Sequence, residues 1–438
     1  MKIFLFIKKQ IVDIQKEGLA IFFLKVDILS KKILKFFLYL ILSPIILFIL
    51  FFVRIVRPII LIRWMRLPSE RVGHFAINTE LYLCTQRLNA VNKEKKFFDI
   101  FYLMKPVSNT QLCKMWSRLI RIWPAWIVEP LSLANKCFKG REKHEIENYL
   151  LGARGVDSLN LIDKFPPHLK FTPSEEEYGY KQLQSMGIKK EDPFVCLILR
   201  DATYLKNQFS KFRDSYFHHH NYRDVNIEDY YPVCEYLSKL NYFVLRMGAK
   251  VEKKMMKIND KVIDYATNGK RSDFMDIFLC AKCSFVISSS TGLDMVANIF
   301  RKDCVKTNFV PVAITGTSTN RNLYIYKHHV DKKTKKKLTL SQIKNKNLDL
   351  NVSTEIFEKK GVVLNNNSPQ EILDATKEKI DRLNNNWKIK IEDEELQKKF
   401  WTLFPIDAKN KVSGKELHGK IKSRVGTEFL KQNKNFLQ

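Results

Sequence analysis

From residue 192 to residue 309 short apolar runs alternate with helical segments, and this alternation constrains the fold more than any other feature. The runs DPFVCLILR (192–200), YFVLRMG (242–248), SFVIS (284–288) and DCVKTNF (303–309) have strand length. Between them stand the amphipathic IEDYYPVCEYLSKLN (227–241), DFMDIFLCAK (273–282) and TGLDMVANIF (291–300); KVIDYA (261–266) offers a further short strand. Continuously apolar strands suit a sheet covered on both faces, and strands joined through helices pair in parallel. Residues 191–385 are therefore expected to form an α/β, doubly wound, Rossmann-like sheet.

In such a sheet, ligands gather at the carboxyl ends of the strands. Arg200, Asp201 and Tyr204 follow the first run, and Arg246 and Gly248 close the second. Ser288, Ser289, Ser290, Thr291 and Gly292 follow SFVI, and Asn308 stands at the end of the last run. Guanidinium groups grip phosphate oxygens through paired N–H donors, and a small-residue turn opening a helix presents bare backbone N–H groups. Alone, CSFVISSSTGLDMVANIF (283–300) is equally an ordinary hydroxyl N-cap. The convergence of arginines on the same edge favours a diphosphate.

HHHNYRDVNIEDY (218–230) adds Arg223 and three histidines ahead of a helix. Consecutive histidines rarely point at one ion, so the segment reads as a hydrogen-bonding loop over the ligand, and no metal is expected. His74, in the glycine turn of RVGHFAINTELYLCTQRL (71–88), is a candidate general base because its ordinary pKa lies near neutrality; a structural histidine fits the same place. Cys280 and Cys283 form a C-x-x-C without a second pair at zinc-site spacing. The chain contains no P-loop, G-x-G-x-x-G, G-x-S-x-G or D-x-D signature. Kinase, dehydrogenase and α/β-hydrolase readings lose ground accordingly.

The 438 residues carry a formal charge of +29, spread along the chain and densest at Lys332–Lys337. A diffuse basic balance suits an anionic membrane or anionic substrates; nucleic-acid binding would call for a recognisable module, and there is none. Eight scattered cysteines point to reduced thiols in the cytoplasm.

Phe36–Val53 runs 18 residues without a charge, with Ser43-Pro44 at its centre. As a straight helix it would reach roughly 27 Å, just short of a hydrocarbon core. Lysines before it balance arginines after it, so the positive-inside rule does not orient it. A single span and a broken, re-entrant or interfacial segment both remain open.

RVGHFAINTELYL, LRDATYL, HNYRDVNIEDYYPVCEYL, FVLRMG, IDYATNGKRSDFMDIFLCAKCSFVISSSTGLDMVA and RVGTEFLKQNKNFL occur in this order. Together they resemble glycosyltransferases of bacterial surface-carbohydrate loci, those of lipopolysaccharide and capsule, with a GT-B-like fold. Arg200 is similar in place to the diphosphate-binding arginine of fucosyltransferase-type enzymes, although their His-x-Arg-Arg-Gly-Asp pattern is absent.

The resemblance implies two Rossmann-like domains facing a cleft. A membrane-associated segment (1–68) would precede an acceptor domain (69–190) and a donor domain (191–385), with a helical extension (386–438) packing back. It implies a metal-independent transfer, without cofactor, from a nucleotide-sugar donor to a glycan acceptor on a polyprenyl lipid, at the cytoplasmic face of the inner membrane. Arg200, Arg246 and the turn 289–292 would hold the departing diphosphate, Asp264, Arg271 and Asp273 the base or sugar, and His74 would deprotonate the acceptor. Inversion and retention both occur on this architecture. The rival readings are a non-catalytic scaffold of polysaccharide assembly and a nucleotide-sugar epimerase.

Overall fold

The structure is a computed structural model and describes residues 19–91, 97–146, 156–200, 218–410 and 414–438. Its centre is a seven-stranded, wholly parallel sheet. The strands are β3 (Phe194–Ile198), β4 (Phe243–Met247), β5 (Val262–Ile263), β6 (Phe285–Ser288), β7 (Asp303–Phe309), β8 (Asn322–Tyr326) and β11 (Arg424–Val425). They lie in the order β11-β8-β7-β6-β3-β4-β5. Leaving out the added edge strand β11 and counting from β3, this is the order 3-2-1-4-5-6 of dinucleotide-binding folds, which reverses between β3 and β6. Here Val195 pairs with Phe285 and Ile198 with Ser288.

All five residues of β3 and all four of β6 are buried, as strands covered on both faces must be. The helix expected at 273–282 lies at those bounds, and the one expected from Pro369 to about Asn386 ends three residues earlier, at Leu383. Ser272 caps the first; at the second, Ser368 and Glu371 complete a reciprocal capping box. The Lys- and Asn-rich stretch 326–360 contributes β9 (His328–Asp331), which pairs antiparallel with β10 (Val362–Asn365). The tail after residue 386 supplies β11 and buries Phe400, Phe404 and Phe429 in the core on one side of the sheet.

The amino-terminal half is slighter than the Rossmann-like domain expected over 69–190. Among the described residues it holds β1 (Leu61–Leu67) and β2 (Phe97–Leu103), paired in parallel over seven residues, with one isolated bridge on each flank at Trp64–Glu145 and Phe101–Ile122. β1 also lies ahead of residue 69. The sequence from 71 to 146 is helix-rich and supplies no further strand-length apolar run, so this sheet stays small. Its core is not separate: Leu67, Phe75 and Phe101 share one hydrophobic cluster with Cys196, Phe278 and Val296.

The helix Val72–Val91 meets the helix Asp294–Ile299 through two glycines. A Cβ on Gly73 would fall 2.7 Å from the Gly292 Cα and 2.8 Å from its carbonyl oxygen, whereas one on Gly292 would stand 3.1 Å from the Gly73 nitrogen. Gly73→Ala must push backbone from backbone. It is expected to destabilise by about 1–3 kcal/mol, outweighing the gain of up to ~1 kcal/mol in helix propensity. Gly292→Ala should cost less. Urea-unfolding midpoints of the two variants check the ranking.

The apolar run Phe36–Val53 divides between the helices Leu19–Ile41 and Ser43–Ile55. Among the described residues no single helix is long and apolar enough to cross a membrane; the pair passes by length and composition together but is bent by 64°. Pro44 sits at the first turn of the second helix, where its missing N–H breaks the ladder between the two.

Candidate functional site

The turn at the switch point ties the ends of β3 and β6 together. The Arg200 backbone N–H donates to Ser289 Oγ at 2.7 Å, and the Ser289 N–H donates to the Ile198 carbonyl at 3.1 Å. Ser290 adopts a left-handed backbone with φ of 64°, held by its N–H donating to Ser288 Oγ at 3.0 Å. Ser288 Oγ in turn donates to Asp294 Oδ2 at 2.7 Å, and the Lys306 ammonium stands 2.6 Å from the same oxygen. Burial opposes the Lys306 charge, but the Asp294 carboxylate overrides it and raises the lysine's pKa.

Beyond this buried anchor, Ser290 Oγ and Thr291 Oγ1 are enclosed without a hydrogen-bond partner among the described residues. The sequence puts a helix start at 289–292, whose positive dipole end would suit an anion. The helix begins only at Asp294 and is six residues long, and the acidic residue in its first turn is Asp294 itself. Whatever this turn offers an anion comes from hydroxyls and neighbouring cations, not from a helix dipole.

The cations are close by. The Arg200 side chain is 12% exposed, and its Nε lies 3.3 Å from Asp224 Oδ1, outside hydrogen-bond geometry. Arg223 packs over the Tyr222 ring at 5.4 Å. Lys327, immediately after β8, donates to the Asp224 carbonyl at 2.7 Å. Burial, reinforced by Arg223, pushes the Arg200 pKa down to about 10. Burial likewise lowers Lys327 to about 8, although Asp224 and Asp229 pull it upward. Burial raises Asp224 against the pull of Arg200 and Lys327. Among the described residues, three cations thus share the electrostatics of the Asp224 and Asp229 carboxylates at the edge where β3 and β6 part.

Other expected residues are engaged in contacts of their own. Arg246 is buried with its guanidinium on Asp264 Oδ1 at 3.2 Å and on the Lys253 carbonyl at 3.2 Å. Asp264 also accepts from the Met255 N–H and the Thr267 hydroxyl. The pair braces the loop after β4 beside Gly248, where a Cβ would strike Val251 at 2.7 Å. Arg271 pairs with Asp276 at 2.7 Å, and Asp273 accepts from the N–H and hydroxyl of Thr110, joining the helices Asp273–Lys282 and Thr110–Ser117. Asn308 exchanges two hydrogen bonds of 2.6 Å with Asn367 and donates to Tyr230. These groups already satisfy one another. Asp201 and Tyr204 lie outside the described residues.

His74 is half-buried and follows Gly73, the residue that meets Gly292 of the turn. The sequence reading missed Asp224 and Lys327. Lys327 stands where a strand-end residue should, behind NLYIY (322–326), a run short enough to pass unread before the lysine-rich segment.

As to metals, Glu80, Cys84 and His168 present ligand atoms within 4.8 Å of one another. Arg301 already holds Glu80 at 2.6 Å, so a cation there would meet a guanidinium. Cys280 and Cys283 are buried in the core as free thiols beside Cys196, whose pKa burial pushes up.

No family model matches the chain, and no curated protein matches it. Among solved structures it is similar to that of E. coli ADP-heptose lps heptosyltransferase II, at 12% identity and a TM-score of 0.36, over 60% of this chain and 90% of that one. A likeness that loose establishes neither the fold nor the activity of this chain.

Proposed function

We propose that the protein is a glycosyltransferase that moves a sugar from a nucleotide-sugar donor to a surface-glycan acceptor, carried on lipid at the cytoplasmic face of the membrane. The observation that carries this reading is the gathering of Arg200, Arg223 and Lys327 around Asp224, with the Ser290 and Thr291 hydroxyls buried and without a hydrogen-bond partner among the described residues, at the switch point of a 3-2-1-4-5-6 sheet. When a glycosidic bond to a diphosphate breaks, negative charge grows on the leaving phosphates, and preorganised cations in a closed site stabilise it most. Arg200 and Arg223 supply that charge, Ser290 and Thr291 donate hydroxyl hydrogens, and Asp224 braces the guanidinium of Arg200. His74, across the glycine contact, takes the acceptor proton. With guanidinium groups in this role, transfer should proceed in EDTA.

Lys327 gives the reaction a pH signature. Its folded pKa of about 8 lies below the ordinary lysine value of 10.5. Above pH ~8 the folded protein releases this proton while the unfolded chain keeps it until ~10.5, so from this group stability rises with pH across that window. Diphosphate affinity runs the opposite way, falling roughly tenfold between pH 7 and 9.5 as a charge near the phosphates disappears. Calorimetric titrations at the two pH values check this, and Lys327→Met should flatten the profile.

The activity itself is tested by incubating the full-length protein with nucleotide sugars and bacterial lipid extract. Release of free nucleoside diphosphate that requires the extract supports the transferase. A new sugar formed from donor alone would point to the epimerase, and no turnover with any donor to the scaffold.

A further inference from the structure

The apolar run between Lys35 and Arg54 is tied to the body at both ends, by the same helix. Lys35 pairs with Glu129 at 2.6 Å, and Tyr39 donates to that carboxylate at 3.4 Å. Arg54 donates to Asn135 Oδ1 at 2.7 Å and to the Lys139 carbonyl at 3.0 Å. Glu129 and Asn135 belong to the helix Ala125–Asn135 and stand six residues, about 9 Å, apart along it. A straight run of Phe36–Val53 would separate its own ends by roughly 27 Å. In the structure the run keeps both ties while bent by 64° between its two helices, folded along the body instead of extended away from it.

What faces outward is apolar. Ile46 and Leu50 turn inward, Leu50 against Trp64, Ile100 and Val128, while Phe37, Leu40, Phe48 and Phe51 are exposed. The body adds exposed aromatic side chains on and just before the helix that these two helices pack against: Trp126 is 75% exposed and Trp123 41%. Exposed tryptophans beside an apolar surface are what a membrane interface selects, and an apolar surface of this kind marks a membrane or protein contact. The segments that flank it carry Arg54, Arg57, Arg121, Lys136, Lys139 and Lys143 against Glu129, Glu142 and Glu145, a net positive charge complementary to anionic headgroups.

We propose that the two amino-terminal helices and the Trp123–Trp126 edge form one surface that seats in a single leaflet of an anionic phospholipid bilayer without crossing it. This deepens the membrane placement in the proposed function and does not depend on which sugar is moved. The partner is the lipid surface itself, since the basic rim matches headgroups and the apolar face has the all-round character of a segment in lipid.

The test adds the purified full-length protein, tagged at both termini, to sealed vesicles of phosphatidylethanolamine and phosphatidylglycerol, with external protease. The expected result is loss of both tags from membrane-bound protein, quenching of Trp126 fluorescence by brominated lipid (read as the difference from Trp126→Phe), and about tenfold weaker binding to phosphatidylcholine vesicles. Protection of one tag would overturn the single-leaflet seating. An unquenched Trp126 on bound protein would remove the body edge from the surface, equal binding to both vesicle types would overturn the anionic preference, and no binding at all would overturn the membrane placement. Nucleotide stabilisation, measured in detergent on the same preparation, reports separately on the transferase reading.

Discussion

Arg200→Ala should lose about 2 kcal/mol of nucleoside-diphosphate affinity, some thirtyfold, while its Tm stays level or rises. The first half follows from the worth of hydrogen bonds to charged groups, about 1.5–3 kcal/mol. The second follows from the free protein, where Arg200 is a cost. It is nearly enclosed, sits beside Arg223, and meets Asp224 at 3.3 Å without hydrogen-bond geometry, so its pKa is driven down to about 10. Deleting it relieves a repulsion and leaves Asp224 to Lys327 and Arg223. Arg200→Lys should keep the charge but lose the paired donors, and fall between the two in affinity. Calorimetric titration and a thermal melt on the same samples separate the terms. A Tm that falls in step with affinity would make Arg200 a structural residue.

The second large effect lies under the turn. Asp294 and Lys306 are both buried, 2.6 Å apart, and removing one partner strands the other's charge in the core. Asp294→Ala is expected to cost about 3–5 kcal/mol and lower the Tm on the order of 10 °C. Because Asp294 accepts from Ser288, and Ser288 accepts from the N–H of left-handed Ser290, the variant should also weaken nucleotide binding at temperatures where it remains folded. Exchanging both members, Asp294→Leu with Lys306→Met, should restore most of the Tm but not the affinity, since Ser288 stays without its acceptor. Recovery of both would mean that the network serves packing alone.

The large sheet was legible because β3 and β6 are written as apolar runs, while β4, which carries Arg246, and β7, which carries Lys306, Thr307 and Asn308, are read from their place in the alternation of strands and helices. β8 and β11 were not, since NLYIY sits among polar loops and Arg424–Val425 is only two residues long. The strand-end rule put forward Arg200 and the Ser288–Gly292 turn together, and they meet. It put forward Arg246 with equal force, but cannot tell a guanidinium facing a ligand from one held by Asp264, eighteen residues away. The glycine contact next to His74 joins positions more than two hundred residues apart, and no local pattern carries it. Pro44 announced the break in the apolar run, whereas the ties to Glu129 and Asn135 are tertiary.

The central claim is that the switch-point cluster holds a nucleoside diphosphate, and the most direct measurement is thermal stabilisation of the full-length protein in detergent and EDTA by UDP, GDP, CDP and ADP. The expected result is a selective rise in Tm with one of them, following saturation binding and abolished in Arg200→Ala. No shift with any nucleotide, or a shift that survives in Arg200→Ala, would contradict it.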